Sequence, residues 1–186
     1  MKYLVLLRGI NVGGKNNVKM GVLKTALEEI GFENVVTFIQ SGNIILESHV
    51  SKATITKKIE QMLPQQFKLD SELIKAFVYS TREFEDIIRK APKDFGRELD
   101  KYYYDFIFLK NNSQDALTEF DPHPEVDSIW AGPFVLYFRR LTAKRTKSRL
   151  GKIAGKTLYK NLTIRSFSTT SKLLALLSDA QKKEGK

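Results

Sequence analysis

Apolar and polar positions along the chain alternate between two kinds of stretch, and the order of those stretches repeats. Tyr3–Arg8 carries a continuous apolar run too short for a helix, which predicts a buried strand. Gly9–Asn17 follows with three glycines and three asparagines, a loop composition. Met20, Leu23, Leu27 and Ile30 then recur at helical spacing, with Gly31 as the stop. Val35–Gln40 and Asn43–Glu47 are β-rich runs around Ser41-Gly42, which predicts a hairpin. Ser51 can cap a helix carrying Ile55, Ile59 and Leu63 and ending before Pro64, and Ser71–Tyr79 reads as a further strand.

The same order returns in the second half. Thr81 is placed as the cap of a linking helix that runs to Lys90, and Ala91-Pro92 ends it. Tyr102–Leu109 predicts a strand, and Ser113–Glu119 a short helix. Val126–Trp130 and Phe134–Arg139 predict strands, and Lys147–Lys160 a helix. Leu162–Phe167 predicts a last strand and Thr170–Lys182 a last helix. Two β-α-β-β-α-β runs imply an α+β fold of two tandem ferredoxin-like halves, with a linking helix and an extra C-terminal helix. The expected organisation is residues 1–80, a link over 81–97, and residues 98–186.

This topology places residues together. Strands one and two of such a unit run in the same direction, so Arg8–Asn16 should lie near Gln40–Asn43. In the second half, Arg139-Arg140 and Arg165–Thr169 should share one end of the sheet.

Composition narrows the function classes. The chain has 186 residues, 42% of them hydrophobic, and no cysteine, which excludes disulfides, thiolate metal sites and cysteine nucleophiles. The N-terminus lacks a secretory pattern and no apolar run approaches the ~20 residues of a membrane span. The expected location is cytoplasmic, with no membrane partner. Net charge is +10, unevenly placed. From Arg139 to Lys186 there are 14 Lys+Arg against 2 Asp+Glu, a balance of +12, whereas residues 1–138 sum to −2. That asymmetry suggests a footprint for a polyanion such as nucleic acid. Its plainer alternative is a solvated helix face with a tail over residues 181–186.

Gly9–Asn16 nearly matches the phosphate loop G-x-x-x-x-G-K-[ST], but Asn16 replaces the hydroxyl residue that would hold magnesium. Nucleotide hydrolysis is disfavoured; an anion contact is retained. Tyr102, Tyr104, Phe106 and Phe108 alternate onto one strand face, as in sheets that stack RNA bases, although core packing is favoured. His49 and His123 have no ligand spacing, so no metal is assigned, and no cofactor motif is present.

The run Leu7-Arg8-Gly9-Ile10-Asn11-Val12-Gly13-Gly14, continued by Ile39-Gln40-Ser41-Gly42-Asn43, closely resembles the bacterial domain of unknown function family 1697. Thr163–Leu173 resembles that family's C-terminal motif, with Ser166-Phe167-Ser168 where the family more often has Asn-Trp-Asn. The resemblance implies a duplicated ferredoxin-like architecture and no particular activity. It marks Arg8, Asn11, Gly13, Gly14, Gln40, Ser41, Gly42, Asn43, Arg165, Thr169 and Lys172 as family residues.

The candidate ligand-binding residues are therefore Arg8, Asn11, Gly13, Gly14, Lys15, Gln40, Ser41 and Asn43. The candidate polyanion-binding residues are Arg139, Arg140, Arg145, Arg149, Arg165, Thr169 and Lys172. The leading expectation is non-catalytic binding of an anionic or phosphate-bearing ligand or of nucleic acid. An enzyme using the same loop on a small anionic substrate is one rival, and a protein-interaction module, with sheets pairing edge to edge into a homodimer, is another.

Overall fold

The computed structural model describes residues 1–70, 74–110 and 113–184, the last six of these by backbone only. Two compact units emerge: Met1–Phe84 together with the chain from Leu173 on, and Glu85–Lys172.

In the first unit, β1 (Lys2–Arg8), β2 (Glu33–Phe38), β3 (Asn43–Glu47) and β4 (Lys75–Ser80) form an antiparallel sheet in the order β2-β3-β1-β4. Helices α1 (Met20–Glu29) and α2 (Lys52–Gln66) cover one face. Leu23 and Leu27 of α1 and Ile55, Ile59 and Leu63 of α2 are buried there with Val5, Leu7, Ile44 and Leu46 of the strands. This is the periodic apolar set predicted. Gly31, at φ +90°, ends α1 while Phe32 N–H donates back to the Leu27 carbonyl at 3.2 Å.

The second unit repeats the scheme. β5 (Tyr102–Leu109), β6 (Asp127–Gly132), β7 (Val135–Leu141) and β8 (Leu162–Ser166) pair antiparallel in the order β6-β7-β5-β8. On one face Ile107, Leu136, Phe138 and Leu162 are buried with Ala116 of α4 (Ser113–Leu117) and with Leu150 and Ile153. On the other face Tyr104, Phe106 and Tyr137 meet Phe95 and Phe167 edge-on or stacked, at centroid distances of 4.9–6.3 Å. Helix α3 (Thr81–Arg89) links the two sheets along the chain, and α5 (Phe167–Glu184) ends it.

Several expected elements differ. Lys147–Lys160 is not an α-helix but part of a series of short 3₁₀ turns, Thr142–Lys147, Leu150–Gly155 and Thr157–Asn161. Leu150 and Ile153 are three apart, the 3₁₀ repeat, and Gly151 and Gly155 weaken an α-helix there. The cap of α3 is Ser80 rather than Thr81: Glu83 N–H donates to Ser80 Oγ, and Ser80 N–H donates to Glu83 Oε2 at 2.9 Å. Helix α2 runs past Pro64 to Gln66, and beyond the proline Phe67 N–H still donates to the Leu63 carbonyl at 3.0 Å. Helix α5 starts at Phe167, one turn earlier than expected, behind Ser166, whose Oγ accepts from Thr169 N–H. Of the predicted strand Ser71–Tyr79, residues 71–73 lie outside the described residues, as do the last two residues of the predicted tail.

Candidate functional site

In the first unit β1 and β2 are each antiparallel to β3, so they point the same way. The segment after β1 and the β2–β3 turn therefore meet at one end of the sheet, as the strand order predicts. Leu7 N–H donates to the Gly42 carbonyl at 2.7 Å. Gly42 is buried at φ +72°, and a Cβ there would stand 2.7 Å from Leu7 Cβ and 2.8 Å from Ile10 Cδ1. Only glycine allows that approach.

The segment after β1 is a miniature hairpin. Lys15 N–H donates to the Val12 carbonyl at 3.0 Å and Asn11 N–H to the Asn16 carbonyl at 3.1 Å. Gly13 and Gly14 form its turn at φ +58° and +75°, the type I′ sense. Asn11 and Asn16 are left-handed as well, at φ 52° and 50°, a region asparagine tolerates. Side chains lock this backbone. Asn11 Nδ2 donates to the carbonyls of Val18 and Gln40 at 2.9 and 2.7 Å, and its Oδ1 accepts Val18 N–H at 2.7 Å. Asn16 Nδ2 donates to the Gly9 carbonyl at 2.6 Å. Asn16 and Asp70 exchange two bonds of 2.7 Å, each backbone N–H donating to the other's side-chain oxygen.

This geometry sorts the residues chosen from sequence. Asn11 engages both amide hydrogens and its oxygen within the protein. Asn43 is buried, its Nδ2 donating to the Phe38 carbonyl at 3.0 Å and to Ser41 Oγ at 2.9 Å. These two side chains shape the loops. Gly13, Gly14, Lys15 and Gln40 are exposed, and Arg8 and Ser41 half-buried. Among the described residues, the N–H groups of Gly13 and Gly14 and the Lys15 ammonium have no protein partner. The phosphate-loop likeness ends here. Helix α1 starts only at Met20, and Lys15 N–H is bonded to Val12, so the amides do not converge on a helix N-terminus. Sequence reasoning missed Asp70, 54 residues from Asn16, because no local spacing announces it. It also missed Ile39, a β-branched residue at φ 49° and half exposed beside Gln40.

In the second unit the ends of β7 and β8 share one end of the sheet, as predicted: Arg139 and Arg140 lie opposite Tyr104 and Tyr103, and Arg165 opposite Phe106. The basic residues do different things. Arg149 Nη1 donates to both oxygens of Asp121 at 3.0 Å, and Lys152 reaches the same carboxylate at 3.3 Å. Bonds from Lys152, together with the charge of Arg149, hold the Asp121 carboxyl below its ordinary range. Lys144 pairs with Glu125 at 3.3 Å and Lys156 with Glu119 at 3.5 Å. Arg140 Nη2 donates to the buried Asp105 at 2.8 Å. Arg165 is buried, donates to Thr163 Oγ1 and the Ile164 carbonyl, and is pushed down to about 10 by burial. Thr169 belongs to the cap of α5, and Lys172 is exposed. Arg139 and Arg145 have no carboxylate partner among the described residues; each lies over an aromatic ring. The row of strand aromatics is core, since Tyr104, Phe106 and Phe108 are buried. Among the described residues no group of three His, Asp or Glu could hold a metal ion, and no helix is long and apolar enough to cross a membrane.

The family model described as a protein of unknown function, DUF1697, matches residues 1–137. The chain belongs to that family. It is similar to the structure of the conserved bacterial protein SP0830 from Streptococcus pneumoniae, with a TM-score of 0.80 and 28% identity over 95% of this chain and 98% of that one. Among curated proteins none matches.

Proposed function

We propose that the chain is a non-catalytic binding protein for a small phosphate-bearing group, seated on the Gly13–Gly14 turn. One contrast carries this reading. The loop is exposed, yet its backbone is held by Asn11, Asn16 and Asp70, while the two glycine N–H groups and Lys15 are left open to solvent. Rigid, open donors beside a cation are the elements of an anion seat, because their ordering cost is met by folding rather than by binding. Topology puts Arg8 and Gln40 at the same end of the sheet. The test is a titration of ¹⁵N-labelled protein with inorganic pyrophosphate, following the Gly13 and Gly14 amide resonances. Saturable downfield movement, lost in an Arg8→Ala, Lys15→Ala double variant, is expected. Amides that do not move, or that move equally in the double variant, would remove the pocket.

A second reading, nucleic-acid binding by the second unit, is favoured by Tyr103. This ring is 43% exposed and carries the Arg140 and Arg145 guanidinium groups at 5.8 and 5.3 Å. Exposed rings among arginines are what single strands stack against. Fluorescence anisotropy with labelled single-stranded RNA and duplex DNA, at low and near-physiological salt, tests it. Binding that is steep in salt and prefers the single strand is expected; no binding at low salt would make the basic region a solvated surface.

A further inference from the structure

Each sheet ends in two edge strands, and an edge left open is a template for another strand. Three of the four edges carry a device that closes or breaks them. On β4 the Ala76 and Ser80 N–H groups are taken by the carboxylates of Glu60 and Glu83, each at 2.9 Å. On β8 the Ile164 carbonyl is taken by the Arg165 guanidinium at 2.9 Å. On β2 the register shifts between Glu33 and Val36, with Asn34 left-handed at φ 49°. Strand β6 has no such device. Its register with β7 is continuous, and from Ser128 to Gly132 it holds no charge and no proline. The phase of its hydrogen bonds follows from the Leu141 N–H bond to the Val126 carbonyl at 2.9 Å. Hydrogen-bonded positions alternate in an antiparallel pair, so Ser128, Trp130 and Gly132 direct their backbone groups at β7, while Asp127, Ile129 and Ala131 direct theirs outward. The Asp127 N–H is met by the His123 carbonyl at 2.8 Å. The outward N–H and carbonyl groups of Ile129 and Ala131 have no partner among the described residues.

We propose that β6 is an interaction edge for a second copy of this chain, pairing antiparallel with its own counterpart about a twofold axis at Trp130. That register puts Ile129 opposite the second copy's Ala131 and the reverse, so the outward groups of both residues form four backbone hydrogen bonds. It sets a large side chain against a small one twice on one face of the joined sheet. On the other face the two Trp130 rings meet at a non-hydrogen-bonded pair, where cross-strand side chains come closest. Self-pairing opposes every residue with its own kind or its mirror position, so a charged edge would repel itself; the uncharged run Ser128–Gly132 does not. Pro133, with no N–H, ends the pairing at the hairpin. So short an interface makes a weak dimer. Two chains of net charge +10 repel each other, and salt screens that repulsion, so the dimer should tighten as salt rises. Nucleic-acid binding has the opposite salt dependence. The edge is independent of the Gly13–Gly14 turn.

The experiment is sedimentation of the full chain from micromolar to near-millimolar concentration, at low and high sodium chloride, with amide hydrogen exchange followed by NMR over the same range. A monomer–dimer equilibrium strengthened by salt is expected. With it, exchange at the Ile129 and Ala131 amides should slow as concentration rises, while exchange at Asp127, already bonded to His123, stays constant. Ala131→Pro removes one N–H from each copy, hence two of the four bonds, and Trp130→Glu sets two carboxylates face to face; each should weaken the dimer at least tenfold. Far-ultraviolet circular dichroism reports the fold of each variant, and should neither fold, the exchange of the unaltered chain decides. A chain that stays monomeric throughout, a dimer in which the Ile129 and Ala131 amides exchange unchanged, or a folded Ala131→Pro chain that dimerises as before would overturn the proposal. Protection of the two amides only on adding an unrelated extended peptide would overturn it as well, because the edge would then take a foreign strand.

Discussion

Replacing Gly42 by alanine separates two penalties that a buried, left-handed glycine combines. The first is conformational: at φ +72° an L side chain is disfavoured by about 1–2 kcal/mol. Gly14, at φ +75° with nothing within 4 Å of where a Cβ would stand, carries this first penalty alone. The second is steric. At Gly42 the new methyl would lie 2.7 Å from Leu7 Cβ, an atom fixed by the strand backbone, so no side-chain rotation relieves the overlap. Forcing such a group into a packed interior costs about 1–3 kcal/mol more. Gly14→Ala should therefore lose about 1–2 kcal/mol and Gly42→Ala about 2–5 kcal/mol, a large part of the roughly 5–15 kcal/mol that holds a domain. Urea unfolding followed by far-ultraviolet circular dichroism gives both values. The Gly42 backbone also accepts the Leu7 N–H bond, so the variant should loosen the Asn11–Gln40 tie between the two loops. If the two variants lose the same stability within about 0.5 kcal/mol, the close packing of the β2–β3 turn on β1 is refuted.

Other outcomes follow from the capping and charge geometry. Burial by itself pushes the Glu83 carboxyl up, but bonds from Lys52 and from the Ser80 N–H and hydroxyl outweigh it and leave the carboxyl below its ordinary range. Its contribution is thus present above the ordinary carboxylate range and lost as pH falls through the depressed value. Glu83→Gln should flatten that acid limb in thermal melts taken across the range, and Ser80→Ala should cost about 1 kcal/mol above the ordinary carboxylate range and less once Glu83 is protonated. Asp105 has the opposite sign: burial raises it, with Arg140 opposing, so the folded state holds the proton longer and stability falls as pH rises through the window. Asp105→Asn should remove that fall, and a wild-type minus variant stability difference that does not fall as pH rises over the window would contradict the assignment. For oligonucleotide binding, Arg145→Gln should lower the salt slope by about one, whereas Arg149→Gln, whose guanidinium is engaged by Asp121, should leave it unchanged.

The strand order was legible because it rests on hydrophobic period. Tyr3–Arg8 and Tyr102–Leu109 have apolar runs that only a central strand can bury, and both lie second from an edge. The loop pair at the end of the first sheet followed from that order without any side-chain information. The helix expected over Lys147–Lys160 failed because three apolar residues are too few to tell a 3.6-residue repeat from a 3.0-residue one. The roles within the site were only half legible. Asn11 and Asn43 have the residue type of ligand contacts, and sequence cannot show that their amides are engaged by Val18, Gln40, Phe38 and Ser41 carbonyl or hydroxyl groups. Asp70 was invisible because its partner is brought to it by the fold.

Charge teaches the same distinction more sharply. The run from Arg139 onward is +12 along the chain, but folding regroups it. Asp105, Glu119, Asp121 and Glu125, all outside that run, pair with Arg140, Lys156, Arg149, Lys152 and Lys144. The second unit as a whole holds 17 Lys+Arg against 11 Asp+Glu, a balance of +6. A partner feels the regrouped charge, since paired exposed ions are largely screened beyond a Debye length of about 8 Å at physiological salt. What distinguishes Arg139 and Arg145 is therefore not membership of a basic run but the lack of a carboxylate partner among the described residues and the presence of a ring beneath the guanidinium. Neutralising these two should change anion binding more than neutralising all of Arg149, Lys152 and Lys156, although the triple change removes more charge. Equal effects from the two sets would mean that net charge, and not the ring-ordered guanidinium, governs recognition.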